Sequence, residues 1–282
     1  MEARNPPLRP RVRRVIAVPS TLFRDDKEPL KTYKVGFLAR VAAIFRVEDI
    51  VIFLDEGERR NASFLRSVLE YIDTPQYLRR MILPLKRSLR YVGILPPLRT
   101  PHHPSTDERG FLSEYREGIV VGCREGELLV HAGLEKPLVV KGRRKIGTRV
   151  TVKILDKGAE IVDRSAVPYY WGFKVRVLDD LREVVRRYGN YLKIATSFYG
   201  DPLLDLRDKI SRELGERKGV LIAFGSKRGL FEIARSLDVD LRSLFDAVIN
   251  FIPNQGTYTV RTEEAIPIVL SALNLLLERS PL

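Results

Sequence analysis

FIPNQGTYTVRTEEAIPIVLSALNLLLE, residues 251–278, decides how this chain is read. The apolar run DAVINFI leads into it and stops at Pro253. A loop rich in amides and hydroxyls follows, and then one long helix with an apolar stripe. A strand, a polar Gly-containing loop and a helix form a ligand-binding edge of an open α/β sheet, where ligands sit beyond the carboxyl ends of the strands. The loop has neither the pattern of a phosphate cradle nor that of a metal site. Its composition suits exposed backbone groups that grip a small polar ligand.

The same alternation extends in both directions. Upstream, residues 181–188 read as a helix, YLKIATS as a strand, LDLRDKISREL as a helix, GVLIAFG as a strand and RGLFEIARSL as a helix. At the other end, RVIAVPSTLF is a buried strand, and KTYKVGFLARVAAIFR has helical spacing, with Val35, Leu38, Ala42 and Phe45 on one face. A second strand at 50–54 follows, then the helices SFLRSVLEYI and TPQYLRRMILPL, the latter opening with Thr74 as N-cap and Pro75 at the first helical position. This order predicts an α/β fold with a mainly parallel sheet.

Between the halves the pattern changes. PPLRTPHHPSTDERG is a proline-rich linker, in which His102 and His103 are expected to face solvent. GIVVGCREGELLVHAG, EKPLVVKG, TRVTVKILDKGAEIVD and GFKVRVL are close-spaced strands with Gly turns, the pattern of a small all-β barrel. The predicted organisation is an α/β domain at 1–96 and 179–282, interrupted by an inserted barrel at 97–178.

A net charge of +13 fits a polyanionic partner, because phosphate contacts dominate nucleic-acid affinity. A charged surface of ion-pair networks would explain many charges, but not an excess of one sign. Residues 136–153 hold seven Lys and Arg and no acidic residue, which makes Lys141, Arg143, Arg144 and Lys145 candidate RNA contacts. Arg11, Arg13 and Arg14 on a loose N-terminal arm are candidates too. Tyr169, Tyr170, Trp171 and Phe173 either stack on bases or plug the barrel. The single Cys123 excludes an internal disulfide and a Cys-based zinc cluster. No run approaches the ~20 apolar residues of a membrane span, and the basic N-terminus lacks a secretory core, so the expected location is cytoplasmic. No Walker or dinucleotide glycine pattern and no Ser-His-Asp set is present, which argues against a nucleotide triphosphatase, a dehydrogenase or a triad hydrolase.

Three strands end in distinctive loops: ATSFYGDPL, AFGSKRGLF and IPNQGTYTVRTEEA. Within the third, Thr262 suits a helix cap, and Glu263 and Glu264 suit the positive end of the helix. Asn254, Gln255, Gly256, Thr257 and Arg261 are not explained by capping.

IPNQGTYTVRTEEAI, GSKRG and TSFYG resemble the SPOUT superfamily of RNA methyltransferases, in the archaeal and eukaryotic branch that carries an inserted OB-like barrel. RVIAVPSTLF, KTYKVGFLARVAAIFRVEDIVIF and TPQYLRRMILPL are similar to that branch as well, and the resemblance covers nearly the whole chain. It implies a trefoil knot, a homodimer and S-adenosylmethionine held by the three loops. On this chain that points to Thr196, Ser197, Gly200, Gly225, Ser226, Gly229, Ile252, Pro253, Gly256, Thr257, Thr259 and Val260. Glu264 either orients the donor's amino group or serves the helix start. The VRTEEA segment is similar to enzymes that methylate uridine N3 in ribosomal RNA. For that reaction Arg261 and Asn254 are the candidate donors to the uracil oxygens; Arg261 has a phosphate contact or an ion pair with Glu263 or Glu264 as alternatives. Ribose 2′-O methylation and a non-catalytic dimeric RNA-binding factor remain the competing functions. No metal and no membrane is expected.

Overall fold

A computed structural model of the chain describes residues 5–84, 86–104 and 113–278. Two compact units emerge: the described parts of 10–70, 91–95 and 173–282 form one, and those of 1–9, 71–90 and 96–172 the other.

The first unit is built on six parallel strands. They are β1 (Arg13–Pro19), β2 (Asp49–Phe53), β8 (Lys174–Leu178), β9 (Leu192–Pro202), β10 (Gly219–Ala223) and β11 (Ala247–Asn250), in the order β11-β9-β10-β1-β2-β8. Both faces of the sheet are buried, so its inner strands read as unbroken apolar runs rather than alternating ones. Val15, Ala17, Val51, Phe53, Leu221 and Ala223 pack on α4 (Leu181–Arg187), α6 (Gly229–Arg235) and α7 (Leu241–Leu244). Ile16, Ile50, Ile52, Ile194 and Ile222 occupy the alternate positions and are fully buried as well. The remaining helices of this unit are α1 (Leu30–Ile44), most of α2 (Arg59–Asp73), α5 (Leu203–Glu216) and α8 (Thr262–Leu277), and α8 packs against α1 and α5.

The second unit holds α3 (Gln76–Ile82) and an antiparallel sheet. Its strands are β3 (Tyr115–Arg124), β4 (Glu127–His131), β5 (Leu138–Lys141), β6 (Arg149–Leu155) and β7 (Gly158–Val162), in the order β5-β4-β3-β6-β7. Val120, Leu128, Val130, Val140, Val150 and Val152 form its apolar core.

Several expectations are corrected. GFKVRVL is not a barrel strand: it forms β8 and pairs parallel with β2. Its alternation of Lys174, Val175, Arg176 and Val177 reflects a sheet edge, which a half-exposed barrel strand mimics. Gln76, not Pro75, is the first residue of α3, within the usual uncertainty of helix ends. The arm is not loose at residues 7–9, because Tyr170 N–H donates to the Pro7 carbonyl (2.8 Å) and Arg9 N–H to the Pro168 carbonyl (2.9 Å). His102 is wholly buried rather than solvent-facing, and Trp171 is buried too, which favours the plug over the stacking platform.

Around these side chains lies a buried charged network. The Glu117 carboxylate accepts from Arg149 Nε (2.7 Å), Thr151 Oγ1 (3.1 Å) and the Trp171 indole. His102 Nε2 lies 3.2 Å from Asp73 Oδ1, and His103 Nε2 bonds the Asp73 carbonyl at 2.9 Å. Burial pushes the Asp73 carboxyl up, but His102, Arg164 and Arg149 outweigh it and hold the group at about 2. Burial, assisted by the His102 ring, pushes His103 down to about 3.

Arg14 is corrected as an RNA contact. Strand alternation turns Arg13 outward, where it pairs with Glu48 (3.0 Å), and turns Arg14 inward. Arg14 is 2% exposed and donates to the Phe45 carbonyl (2.8 Å), Asn274 Oδ1 (2.9 Å) and the Glu278 carboxylate. Arg46 donates to the same carboxylate.

Removing Glu278 leaves Arg14 a buried cation facing Arg46. Glu278→Ala should therefore cost about 2–3 kcal/mol, below the 3–5 of a fully buried pair because Glu278 is half exposed. Adding Arg46→Ala should recover part of that loss in urea unfolding; strict additivity of the two changes would remove the triad from the account. For His103, the folded value lies below the ordinary 6.5, so the unfolded chain takes up the proton first. Its contribution to stability is whole above pH 6.5 and is lost as pH falls toward 3, with a slope of up to about 1.4 kcal/mol per pH unit. Melting followed by circular dichroism from pH 7 to 4 should flatten in His103→Asn.

Candidate active site

At the carboxyl edge of the parallel sheet three segments are tied together. β11 runs beside β9 with Ala247 opposite Ile194 and Val248 opposite Ala195; the next pair is Ile249 with Asp201. Residues 196–200 therefore leave the ladder and return to it. The TSFYG segment, expected as a free loop beyond a finished strand, is an excursion within β9. Gly200 lets it return: a Cβ there would lie 2.6 Å from the Ile249 carbonyl carbon.

Side chains complete the ties. Thr196 Oγ1 donates to the Ala223 carbonyl at the end of β10 (3.0 Å), and Asn250 Nδ2 donates to the Phe198 carbonyl (3.0 Å). Thr262 Oγ1 donates to the Gly225 carbonyl (2.8 Å), joining the start of α8 to the GSKRG turn. That hydroxyl is not the helix cap assigned from the sequence. The N-cap is Arg261, and its backbone N–H is taken by Glu264 Oε2 at 2.8 Å. Glu264 thus has the helix-start role that its position allowed. Glu263 pairs with Lys34 (2.9 Å), a partner from α1 that local reading had no means of finding.

The loop at 251–261 braces itself. Gln255 Nε2 donates to the Thr257 (2.8 Å) and Tyr258 (3.2 Å) carbonyls, and Thr257 Oγ1 to the Thr259 carbonyl (3.0 Å). Asn254 sits at φ 57°, a left-handed conformation that asparagine tolerates. Pro253, Asn254, Gly256, Thr257, Thr259 and Arg261 are exposed, whereas Ile252 and Val260 are half-buried. Thr196, Ser197, Gly225, Ser226 and Gly229 are half-buried along the same edge. At Gly256 neither backbone conformation nor packing calls for glycine, since a Cβ there would meet nothing within 4 Å. The bare backbone leaves room for something other than this chain.

Arg228 adds a connection that the sequence reading missed. It reaches Asp55 (3.2 Å) and Glu56 (2.8 Å) beyond β2. Asp55 is buried, accepts from Thr21 Oγ1 (2.7 Å), and its N–H donates to Ser20 Oγ (2.9 Å) beyond β1. The signal was the one used for the other loops: polar residues directly after a buried apolar strand, here at 20–21 and 55.

The basic candidates are not gathered here. Arg11 and Arg13 stand at the amino end of β1, one strand length of roughly 20 Å from the carboxyl edge. Lys141, Arg143, Arg144 and Lys145 are exposed on the β5–β6 connection of the other unit.

Residues 13–273 match the family described as "Putative RNA methyltransferase". The chain belongs to that family. Among relatives, a protein of Halobacterium salinarum, itself uncharacterized, is 36% identical over 93% of this chain and 99% of its own length. A 28S rRNA (uridine-N(3))-methyltransferase of Homo sapiens is 34% identical over 92% of this chain and 77% of its own. The enzyme of the same description from Drosophila melanogaster is 31% identical over 92% of this chain and 61% of its own. Among the described residues, no helix is long and apolar enough to cross a membrane, and no cluster of three His, Cys, Asp or Glu side chains could hold a metal ion.

The two glycines should separate in a stability assay. Gly200→Ala must push β11 aside and should lose about 1–3 kcal/mol in chemical denaturation. Gly256→Ala should stay within about 0.5 kcal/mol of the parent. Equal losses would mean that the loop at 251–261 packs more tightly than its geometry indicates.

Proposed function

We propose that this RNA methyltransferase uses S-adenosylmethionine to methylate uridine N3 in ribosomal RNA. The observation that carries the reading is the 34% identity to the human uridine-N3 enzyme across 92% of this chain, which takes in the carboxyl-edge segments. The three tied segments and the open backbone at Gly256 support a donor site among residues 196–200, 225–229 and 252–260.

The remaining expectations belong to the same proposal. The α/β unit of 10–70, 91–95 and 173–282 forms a knotted SPOUT domain, and the antiparallel sheet at 115–162, which ends before β8, an inserted OB-like barrel. The enzyme is a cytoplasmic homodimer; exposed Leu30, Tyr33 and Phe37 on α1 and Leu275 on α8 favour a partner surface.

When bound among residues 196–200, 225–229 and 252–260, S-adenosylmethionine would supply an electrophilic methyl group for transfer to the uridine nitrogen. The chain's task is to position the two reactants and exclude water. Uridine N3 must lose its proton, and donors aimed at the neighbouring oxygens favour the ionised base. Arg261 and Asn254 take that role. Glu264 fixes the backbone of Arg261 through its N–H and so sets where the guanidinium starts.

The test is transfer from labelled S-adenosylmethionine to ribosomal RNA from a strain lacking the gene, with the product located by mass spectrometry. N3 methylation should stop reverse transcription, because it blocks Watson–Crick pairing. Read-through with resistance to alkaline cleavage would assign the ribose instead. Arg261→Ala should lower kcat about 10²–10³-fold with donor affinity unchanged. Gly256→Val should abolish donor binding in calorimetry while the protein keeps its melting temperature; retained affinity would remove that loop from the site.

A further inference from the structure

We propose that a hollow on the antiparallel unit binds one nucleotide of a single-stranded RNA, distinct from the nucleotide that is methylated. The inference rests on the reading of the chain as an enzyme acting on RNA. The hollow measures about 380 Å3, within the range of small-ligand pockets. It is lined by the buried Glu117 and its half-buried partner Arg149, by Thr151 and Val162 on the same face, and by the cations Arg144 and Arg164.

Each part suits a nucleotide. The Glu117 carboxylate is fully engaged by Arg149, Thr151 and the Trp171 indole, so it is neutralised where it stands. Asp163, the other carboxylate in the lining, is held by the Ser165 N–H (2.7 Å) and hydroxyl (2.5 Å). Arg149 and Arg164 face Glu117 and Asp73, so the cation that the lining directs toward an incoming anion is the exposed Arg144. Val162, which strand register places on the face of Glu117 and Thr151, offers an apolar wall to the face of a base, and Thr148 a hydroxyl to its edge.

A second observation points to a strand rather than a free metabolite. Residues 141–147, KGRRKIG, are exposed throughout and link β5 to β6. This ribbon brings Arg144 to the hollow, and no acidic residue interrupts 136–153. A phosphodiester chain can follow the ribbon and turn one base into the hollow. Paired bases of a duplex cannot enter it.

The chain carries its own reporter. Trp171 is the single tryptophan, and its indole donates to Glu117 in the lining. Titration with an RNA hexamer of mixed sequence should change Trp171 emission in step with binding measured by anisotropy of a labelled hexamer. Arg144→Glu should weaken the hexamer at least tenfold and lower the log–log salt slope by about one. Thr148→Phe, which places a ring in the hollow, should abolish the emission change and weaken binding with circular dichroism unaltered. A hexamer that binds without altering Trp171 emission, and equally well to Thr148→Phe, would overturn the hollow. Calorimetry with S-adenosylmethionine keeps the two readings apart. Donor binding intact alongside indifference to Thr148→Phe defeats the hollow alone, and no donor binding by the parent protein defeats the enzyme reading alone.

Discussion

Thr262 donates to the Gly225 carbonyl where α8 begins, and that bond makes a single surface out of parts far apart in the chain. A parallel sheet satisfies its strands internally but leaves their carboxyl ends to loops, which have no fixed relation to one another. Here the relation is imposed. Thr196 ties the excursion of β9 to the end of β10, Asn250 ties β11 back to the excursion, and Arg228 reaches across to Asp55 beyond β2. The region where a methyl donor is proposed to lie is thus organised by side chains that do not themselves need to touch it.

Charge is handled differently in the two units. In the α/β unit, Arg14, Arg46 and Glu278 form a triad that is largely internal, and Lys34 is shared between Asp26 and Glu263. In the other unit, Glu117 and Asp73 are compensated by Arg149, Arg164 and His102, while the cations at 141–145 face outward. The positive excess that suits a polyanion is therefore concentrated where the chain spends no carboxylate to neutralise it.

The α/β alternation was legible because buried parallel strands and amphipathic helices differ in period, and the polar loops stood out after apolar runs. What the sequence hid was pairing across distance. A half-exposed strand such as β8 has the same alternation in a barrel as at a sheet edge. Arg14 looks like part of a basic arm until β1 fixes which way it points. His102 sits in a proline-rich stretch that reads as solvent-exposed, yet the partners that bury it, Asp73 and Trp171, lie far away in sequence. Thr262 met every local rule for a cap, and a carbonyl on another loop claimed its hydroxyl.

The bond between Arg14 and Glu278 closes a span of 264 positions. During synthesis, β1 leaves the ribosome long before the acid that satisfies its inward guanidinium exists. The first strand must wait, hydrated or transiently paired, until α8 is translated, so completion of the sheet core depends on a segment made 264 positions later.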